Sequence, residues 1–347
     1  MKKTAIITGV NGQDGSYLAK YLIKKKVKVY GIYNNKNFKN IIFLKIYKKI
    51  NFINCDISNF KKISKYIKKI KPNYFFNLAG ISSLEESYSN PLITDKINNS
   101  AVINILECIK KYTPKTRIFQ ASSSELFSEE KNKLINENSQ FKPQSPYAIA
   151  KLSAYHYVNM YKKNYNIYAV NGLLFNHESP LRKDKFFSKK IIKTLLHYKK
   201  NKSQKIIEIG NIESKRDWGN AEDYVKVIYK SLTIKKAHNF IFCTGNKITA
   251  REFINKVAKI LNINIYWIKK NGEHLAIDAK NKKKILKTNK KFYRNDKFYN
   301  FRGNNKKARK LLNWKPDTNV EKLIEKMINF EINKWRYIIA EVANPKN

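Results

Sequence analysis

Short apolar segments alternate with amphipathic ones through the first half of the chain. The apolar segments are almost continuous, which is typical of strands buried on both faces of a parallel sheet, and they cover residues 4–8, 27–33, 51–57, 74–78, 117–121 and 168–175. Apolar residues recur at helical spacing in residues 15–26, 59–70, 91–112 and 147–161. This alternation predicts an α/β fold with a doubly wound parallel sheet and helices on both of its faces.

The alternation becomes irregular after residue 175, and we expect a second structural unit there. One more helix and strand of the main sheet are predicted at 221–232 and 240–243. Residues 270–304 are basic and poor in aliphatic side chains, which predicts loops around a ligand site. The other predicted elements are a strand at 206–209 and helices at 189–198, 249–262 and 319–336. The predicted division is a sheet domain of residues 1–170 plus about 219–246 and a smaller, discontinuous α/β domain of residues 171–218 plus about 247–347.

Positive charge dominates the composition. The chain carries 71 lysine and arginine residues against 26 acidic ones, a formal charge of +45. A lysine-rich protein that binds nucleic acid is therefore one hypothesis. The lysines occur in nearly every segment and form no basic tail or single stripe, so we interpret the charge as compositional drift and expect no nucleic-acid partner. A positive field of this kind still attracts ligands that carry phosphate.

Cysteine, histidine and apolar content bear on location and metal binding. Cys55, Cys108 and Cys243 are odd in number and form no CxxC pair, which favours a reducing, cytoplasmic environment. The apolar run near Met1 is too short for a signal peptide, and no run approaches the ~18 apolar residues of a membrane span. The five histidines show no metal-binding spacing. We therefore expect a cytoplasmic protein without a membrane contact or a metal.

A glycine-rich turn connects the first predicted strand to the first predicted helix. Backbone N–H groups at such a helix N-terminus bind a dinucleotide pyrophosphate, and glycines let it approach closely. The candidate cofactor-binding residues of the turn are Gly9, Asn11, Gly12, Gln13, Asp14 and Gly15. Candidates at the ends of later strands are Asp56, Ile57, Leu78, Ala79 and Gly80. The GxxGxxG spacing resembles the extended short-chain dehydrogenase/reductase superfamily, which implies a Rossmann-type sheet.

The end of the second strand bears on the choice between NAD and NADP. A carboxylate at this position normally binds the adenosine ribose of NAD, whereas a cation accommodates the 2′-phosphate of NADP. The chain has no acid between Tyr33 and Lys36, and Lys36 is placed to meet a phosphate. We therefore favour NADP as the cofactor and keep NAD as the alternative.

Four residues form the predicted catalytic constellation. Tyr147 and Lys151 make a YxxxK motif on a predicted helix, where residues four apart share a face. A free tyrosine has a pKa of about 10, but a neighbouring ammonium and an oxidised nicotinamide favour the phenolate, which can then take a proton from a sugar hydroxyl. Ser123 is a candidate hydrogen-bonding group for the same oxygen. Glu125 is a candidate base for the acidic proton beside a new ketone, which is the additional step of a dehydratase.

Several stretches of the chain together resemble the GDP-mannose 4,6-dehydratase family. Their order and spacing cover nearly the whole chain, and the NHESP and RDWG motifs are specific to this family within the superfamily. The matching stretches are Ile7-Thr8-Gly9 to Ser16-Tyr17-Leu18, Asn77-Leu78-Ala79, Gln120-Ala121-Ser122, Ser145-Pro146-Tyr147-Ala148, Asn171-Gly172 to Leu174-Phe175-Asn176-His177-Glu178-Ser179-Pro180, Arg216-Asp217-Trp218-Gly219, and Leu312 to Trp314-Lys315-Pro316.

The resemblance implies an activity and further site residues. It implies conversion of GDP-mannose to GDP-4-keto-6-deoxymannose by an internal redox cycle, in which Tyr147 takes the O4 proton, Glu125 removes the C5 proton, and Ser123 assists the loss of water from C6. His177 and Arg182 would lie near the cofactor. The implied contacts to the GDP-sugar are Ser82, Asn176, Lys190, Arg216 and Arg294. A homodimer or homotetramer is also implied, with the helices at 91–112 and 147–163 pairing with their copies.

Departures from the family pattern leave alternatives open. The chain has Asn34 and Asn35 where the family has paired arginines, which bears on both NADP binding and the tetramer contact. Lys297 replaces a glutamate, and Phe127 and Ser128 replace Tyr-Gly. The enzymatic alternatives are a dehydratase for another GDP-sugar, such as GDP-manno-heptose, and a GDP-4-keto-6-deoxymannose reductase, which would not need the carboxylate at position 125. The lysine-rich nucleic-acid-binding Rossmann protein is the non-enzymatic alternative.

Overall fold

The computed structural model describes residues 2–127, 134–201, 206–293 and 302–342, with side chains as far as residue 333. The strands of these ranges are β1 Thr4–Thr8, β2 Lys28–Tyr33, β3 Ile50–Asn54, β4 Tyr74–Asn77, β5 Arg117–Ser123, β6 Leu134–Ile135, β7 Ala169–Leu174, β8 His177–Glu178, β9 Ile207–Ile209, β10 Lys215–Arg216, β11 Gly219–Asn220, β12 Phe240–Phe242, β13 Ile248–Thr249, β14 Ile265–Lys270, β15 Glu273–Asp278, β16 Lys284–Thr288 and β17 Arg302–Gly303.

Every predicted helix has a counterpart in the described ranges. The helices are α1 Gln13–Lys24, α2 Lys39–Phe43, α3 Phe60–Ile70, α4 Leu84–Ser89, α5 Pro91–Asp95, α6 Ala101–Tyr112, α7 Pro146–Asn164, α8 Phe187–Asn201, α9 Ala221–Ser231, α10 Ala250–Ile260, α11 Lys306–Leu312 and α12 Val320–Val342. The helix predicted at 91–112 is divided, and α2, α4 and α11 have no predicted counterpart. Local capping explains several of these starts, because the side chains of Asn59, Ser145 and Thr249 accept hydrogen bonds from the first turns of α3, α7 and α10. No helix in the described ranges is both long and apolar enough to cross a bilayer.

A seven-stranded parallel sheet forms the centre of the fold. Its strand order is β12-β7-β5-β4-β1-β2-β3, and every neighbouring pair is parallel. One buried hydrophobic cluster packs α1 and α9 on one face, and a second packs α3, α6 and α7 on the other. The doubly wound, Rossmann-type sheet that the alternation predicts is therefore confirmed, including the additional α9-β12 step at its edge. The carboxyl ends of these strands share one edge, where such folds bind ligands.

A smaller four-stranded sheet accompanies a third hydrophobic cluster. The strand order is β14-β15-β16-β9, and α8, α10 and α12 contribute to the same cluster. The prediction of loops over 270–304 is wrong for β15 and β16, because Leu275, Ala276, Ile285 and Leu286 are buried in or beside this cluster. Charged residues at the ends of β15 and two lysines in β16 interrupt the apolar pattern, and a few aliphatic residues on the inner face suffice to form the strands. The third predicted strand is also shorter than expected, because it ends at Asn54.

Candidate active site

The glycine turn before α1 has the geometry of an anion-binding site. Gly9 has a φ of +66°, and a Cβ there would lie 3.0 Å from the backbone of Ala79, so β1 and β4 approach closely at this point. Gly12 is the N-cap of α1 and provides no side-chain cap. The first N–H groups of α1 are therefore available to an anionic ligand, which fits a dinucleotide pyrophosphate.

Gly15 allows the turn to fold back against α1. A Cβ at this position would lie 2.2 Å from the carbonyl oxygen of Gly9, a separation that requires the turn to move. We expect Gly15→Ala to weaken binding of the nicotinamide dinucleotide by roughly ten- to hundredfold, because displacing packed backbone costs about 1–3 kcal/mol. Isothermal calorimetry with NADPH and NADH measures this. The control Gly272→Ala, at a φ of +77° in open space, should lower the melting temperature slightly and leave dinucleotide affinity unchanged. Equal affinities for both variants would contradict the expectation.

The candidate catalytic groups meet at the carboxyl end of β5. Ser123 ends that strand, and a short 3₁₀ turn, Ser124–Leu126, carries Glu125 directly after it. Tyr147 lies in the first turn of α7, close enough to Ser123 and Glu125 that the hydroxyl lowers the pKa of its phenol and the carboxylate charge raises it. The structure therefore brings the hydroxyl, the carboxylate and the phenol together, as the sequence predicts.

Burial sets the titration of Tyr147. Burial raises the pKa of Tyr147 to about 12; the charge of Glu125 adds to the rise, while the Ser123 hydrogen bond and the charge of Arg182 oppose it. The Lys151 ammonium donates to the carbonyl of Ala121 at 2.9 Å and lies 6.0 Å from the centroid of the Tyr147 ring. Burial also lowers the pKa of Lys151 to about 8. Lys151 alone thus leaves Tyr147 protonated at neutral pH, so the phenolate needs a further positive charge beside it.

A π-helical turn that sequence reasoning missed supports this site. Residues Lys96–Ser100 form it between α5 and α6, within the segment predicted as one regular helix. The side chain of Asn98 is buried there, accepts from the amide of Ile81 and donates to its carbonyl, both at 3.0 Å. A Cβ at Gly80 would lie 2.8 Å from the Asn98 side-chain oxygen and 3.4 Å from the Lys151 nitrogen. Asn98 therefore fixes the backbone of the Gly80 segment against Lys151.

The segment after β7 is attached to the phosphate turn by side chains. His177 contacts the Asp14 carboxylate through Nε2 at 2.9 Å and the carbonyl of Phe175 through Nδ1 at 2.7 Å. Gln13 donates to the carbonyl of His177 and accepts from Ser179. Because both partners of His177 are acceptors, both of its ring nitrogens carry protons and the pair is an ion pair. Arg182 binds Glu178 at 2.9 Å.

The Asp14–His177 pair predicts a pH dependence of stability. Burial by itself would lower the pKa of His177, because it disfavours the charged imidazole. The negative charge of Asp14 and its hydrogen bond to His177 outweigh this effect and raise the pKa of His177 above 6.5. Burial likewise opposes the Asp14 charge, and His177 outweighs it, so the pKa of Asp14 lies below 3.8. Because the folded pKa of His177 is raised, its stabilisation is complete below pH 6.5 and is lost as pH rises through the folded value.

Thermal unfolding of the His177→Gln variant at several pH values tests this dependence. The difference in melting temperature between wild type and His177→Gln should shrink as the pH rises above 6.5. The control is His238→Gln, because burial and nearby lysines lower the pKa of His238. The difference in melting temperature between wild type and His238→Gln should change in the opposite direction with pH. A difference for His177→Gln that stays constant from pH about 6 to 9 would contradict the ion pair.

The candidate substrate contacts lie on separate segments of the chain. Ser82 is exposed after β4, and the carbonyl of Asn176 accepts from the amide of Gly219 at 2.9 Å. Lys190 donates to the carbonyl of Glu208 at 3.0 Å, and Arg216 is half-buried in β10. Asn176 and Arg216 therefore belong to segments in direct contact, whereas Arg294 and Lys297 lie outside the described residues.

An asparagine network holds the loop after β2. The side chain of Asn11 donates to the carbonyl and the side-chain oxygen of Asn35, both at 2.9 Å, and Asn40 donates to the carbonyl of Asn11 at 3.2 Å.

A depression of about 700 Å³ opens beside this loop. It is lined by Asn35, Lys36, Asn37, Phe38, Lys39, Ile42 and Tyr47. Its lining holds two lysines and no acid. At the carboxyl end of β3, Asp56 accepts from the amide and hydroxyl of Ser58.

The fold and this site define an extended short-chain dehydrogenase/reductase. A sequence model of the family described as GDP-mannose 4,6 dehydratase matches residues 6–327. The GDP-mannose 4,6 dehydratase of Dictyostelium discoideum is 34% identical over 344 residues, which is 95% of this chain and 96% of that protein. The GDP-mannose 4,6-dehydratase of Yersinia enterocolitica is 32% identical over 362 residues, 99% of this chain and 97% of its own. The chain belongs to the GDP-mannose 4,6-dehydratase family.

Solved structures show the same fold at lower sequence identity. The dTDP-glucose 4,6-dehydratase of Bacillus anthracis, in complex with NAD, superimposes with a TM-score of 0.80 at 18% identity and covers 96% of this chain and 98% of its own. The UDP-glucose 4-epimerase of Thermotoga maritima, with UDP-glucose, gives 0.79 at 19% identity and covers 96% and 99%. These similarities confirm the fold class.

Proposed function

We propose that the chain converts GDP-mannose to GDP-4-keto-6-deoxymannose with loss of water, with Ser123, Glu125, Tyr147 and Lys151 as its catalytic residues. Membership of the GDP-mannose 4,6-dehydratase family supports this reaction. The observation that carries the proposal is the position of Tyr147 in the first turn of α7, near enough to Ser123 and Glu125 at the end of β5 for both to shift the pKa of its phenol. A carboxylate beside the phenol provides a second proton acceptor, which oxidation of a hydroxyl alone does not require.

The residues divide the proton transfers between them. A bound nicotinamide supplies the hydride acceptor for C4 and the donor for C6, and its positive charge in the oxidised form favours the phenolate. Tyr147 takes the proton of O4 while the neighbouring Ser123 hydroxyl orients that oxygen. The ketone at C4 then acidifies the C5 hydrogen, which Glu125 removes and passes to the departing C6 hydroxyl. Lys151, tied to the Ala121 carbonyl, keeps an ammonium beside the reacting oxygen.

The cofactor is NADP in this proposal, with NAD as the alternative. The uncapped N-terminus of α1 and the turn residues Gly9, Asn11, Gly12, Gln13, Asp14 and Gly15 would hold the pyrophosphate. Asp56, Ile57, Leu78, Ala79 and Gly80 would line the rest of the site, with His177 and Arg182 on the far side. Lys36 and Lys39, in the acid-free depression beside Asn35, favour a 2′-phosphate.

Calorimetry should show tighter binding of NADPH than of NADH, and a Lys36→Glu variant should lose that preference.

The nucleotide sugar would bind between the two sheets. The proposed GDP-sugar contacts are Asn176, Lys190, Arg216, Ser82 and Arg294, because two phosphates call for cationic and amide donors.

We propose residues 1–170 plus about 219–246 as the dinucleotide domain and 171–218 plus about 247–347 as the nucleotide-sugar domain. Ala308, Leu312 and Trp314 of the second set pack in the first cluster, so the region around α11 joins the two domains. A homodimer or homotetramer is part of the proposal, because Leu92 and Ile149 of α5 and α7 are exposed.

Incubation of the purified protein with GDP-mannose and catalytic NADP tests the proposal. Mass spectrometry should show a product lighter by one water without any added reductant. Activity that appears only with GDP-4-keto-6-deoxymannose and stoichiometric NADPH would instead identify a reductase, and faster turnover of GDP-manno-heptose would change the substrate. Nucleic-acid binding without turnover would support the non-enzymatic alternative, and such binding should collapse steeply with salt.

A further inference from the structure

Asp217 is a buried carboxylate that the proposed reaction does not use. It lies between β10 and β11, and only 5% of its surface is exposed. One oxygen accepts from the amide of Thr244 at 3.1 Å and the other from the amide of Gly245 at 2.8 Å. Among the described ion pairs, no cation is bound to it. A buried carboxylate that binds only neutral donors costs folding free energy, so a function for it is expected.

The turn that Asp217 binds leads directly to the partner strand of Arg216. Thr244 and Gly245 follow β12, the edge strand of the main sheet, and Gly245 has a φ of +83°. The chain then enters β13, which pairs antiparallel with β10 and places Ile248 opposite Arg216. The carboxylate therefore closes a ring of contacts that runs from Arg216 through β13 and the turn back to Asp217.

The other side of Asp217 is equally fixed. Trp218 is buried and packs against Phe187 and Phe253 in the third cluster. Gly219 continues into β11, which pairs with His177 and Glu178 of β8. Burial raises the pKa of Asp217 to about 6, against the hydrogen bonds from Thr244 and Gly245. The carboxylate is thus held by amides at the junction of the two sheets, one residue from the proposed diphosphate contact.

We propose that Asp217 is a positioning residue. By clamping the Thr244–Gly245 turn, Asp217 holds Arg216 in the place where the arginine binds the diphosphate of the GDP-sugar. This inference rests on the proposed function, because it assumes that Arg216 contacts a nucleoside diphosphate. Arg216 reaches the ligand by a side chain with many rotamers, and fixing its backbone reduces the entropy lost on binding. The clamp acts on substrate affinity and leaves the dinucleotide site at α1 unchanged.

The Asp217→Asn variant tests the clamp without changing the size of the side chain. In asparagine an NH₂ group replaces one of the two carboxylate oxygens. This NH₂ group cannot accept a hydrogen bond from the backbone N–H that faces it, so one of the two hydrogen bonds is lost. Calorimetry with GDP should show about a tenfold weaker affinity, and the KM for GDP-mannose should rise by a similar factor with kcat changed less than about threefold. NADPH affinity should stay the same. The control Asp278→Asn, a buried aspartate that binds Tyr198 and the amide of Lys280, should leave GDP affinity unchanged.

A double-mutant cycle with Arg216→Ala separates positioning from a merely structural role. In the Arg216→Ala background, Asp217→Asn should change GDP affinity less than about twofold, because the group it positions is absent. Equal losses in both backgrounds, or a parallel loss of GDP and NADPH affinity, would overturn the inference. If Asp217→Asn does not fold, Gly245→Ala strains the same turn at its positive φ and should reproduce the GDP-specific loss. Wild-type protein that binds no GDP would instead refute the proposed function.

Discussion

Replacement of Glu125 by glutamine is expected to reduce kcat for GDP-mannose dehydration by about 10³-fold, because a positioned acid/base group contributes roughly 10²–10⁴ to a rate. Glutamine keeps the size of the side chain but can neither remove the C5 proton nor return one to the leaving hydroxyl. GDP affinity should be retained, since Glu125 lies beside Tyr147 and the proposed diphosphate contacts lie on other segments.

Reaction in D₂O provides a second measurement for Glu125→Gln. Wild-type protein should place one deuterium at C5 of the product, and the variant should show neither product nor deuterium exchange into GDP-mannose. The matched control is Glu85→Gln, which alters an exposed carboxylate in the first turn of α4 and should leave kcat unchanged. Full activity of Glu125→Gln would contradict the dehydratase proposal and favour a reductase.

Replacement of Tyr147 by phenylalanine is expected to cause a comparable loss, about 10³-fold in kcat. The variant has no acceptor for the O4 proton, because the phenol oxygen is absent. Calorimetry with NADPH and GDP should show affinities close to wild type, so that the loss is confined to the chemical step. Tyr157→Phe, on the same helix but exposed, serves as the control and should retain full activity. A Tyr147→Phe variant with more than about one tenth of wild-type kcat would exclude the phenol as the base.

The parts of the site that sequence predicts are those specified by local spacing. The turn from Gly9 to Gly15 and the first turn of α7 lie where the pattern places them, because each is a strand-to-helix junction or a helix face. The Asp14–His177 pair joins residues 163 positions apart, and the Asp217–Gly245 contact joins residues 28 apart. Such pairings depend on how the sheets meet, and no local pattern contains that information.

Two further features lie outside the local pattern for similarly physical reasons. The segment around β15 and β16 is rich in lysine, so the few inward aliphatic residues of the two strands are too sparse to predict a sheet. The spacing along a helix shows that Tyr147 and Lys151 share a face, but it does not show which atoms their side chains bind. The ammonium in fact binds the Ala121 carbonyl, and burial determines the pKa of the phenol.

The order in which the main sheet is completed has a consequence for synthesis of the chain. Strand β12, the edge of the sheet, pairs with β7 only after about 65 intervening residues, which include α8, β9 and α9. Until those residues have left the ribosome, β7 presents an open edge of buried apolar residues that can pair with another strand. A nascent or truncated chain that stops before residue 240 is therefore exposed to aggregation and to chaperone capture, whereas the finished chain covers that edge with its own Phe240–Phe242.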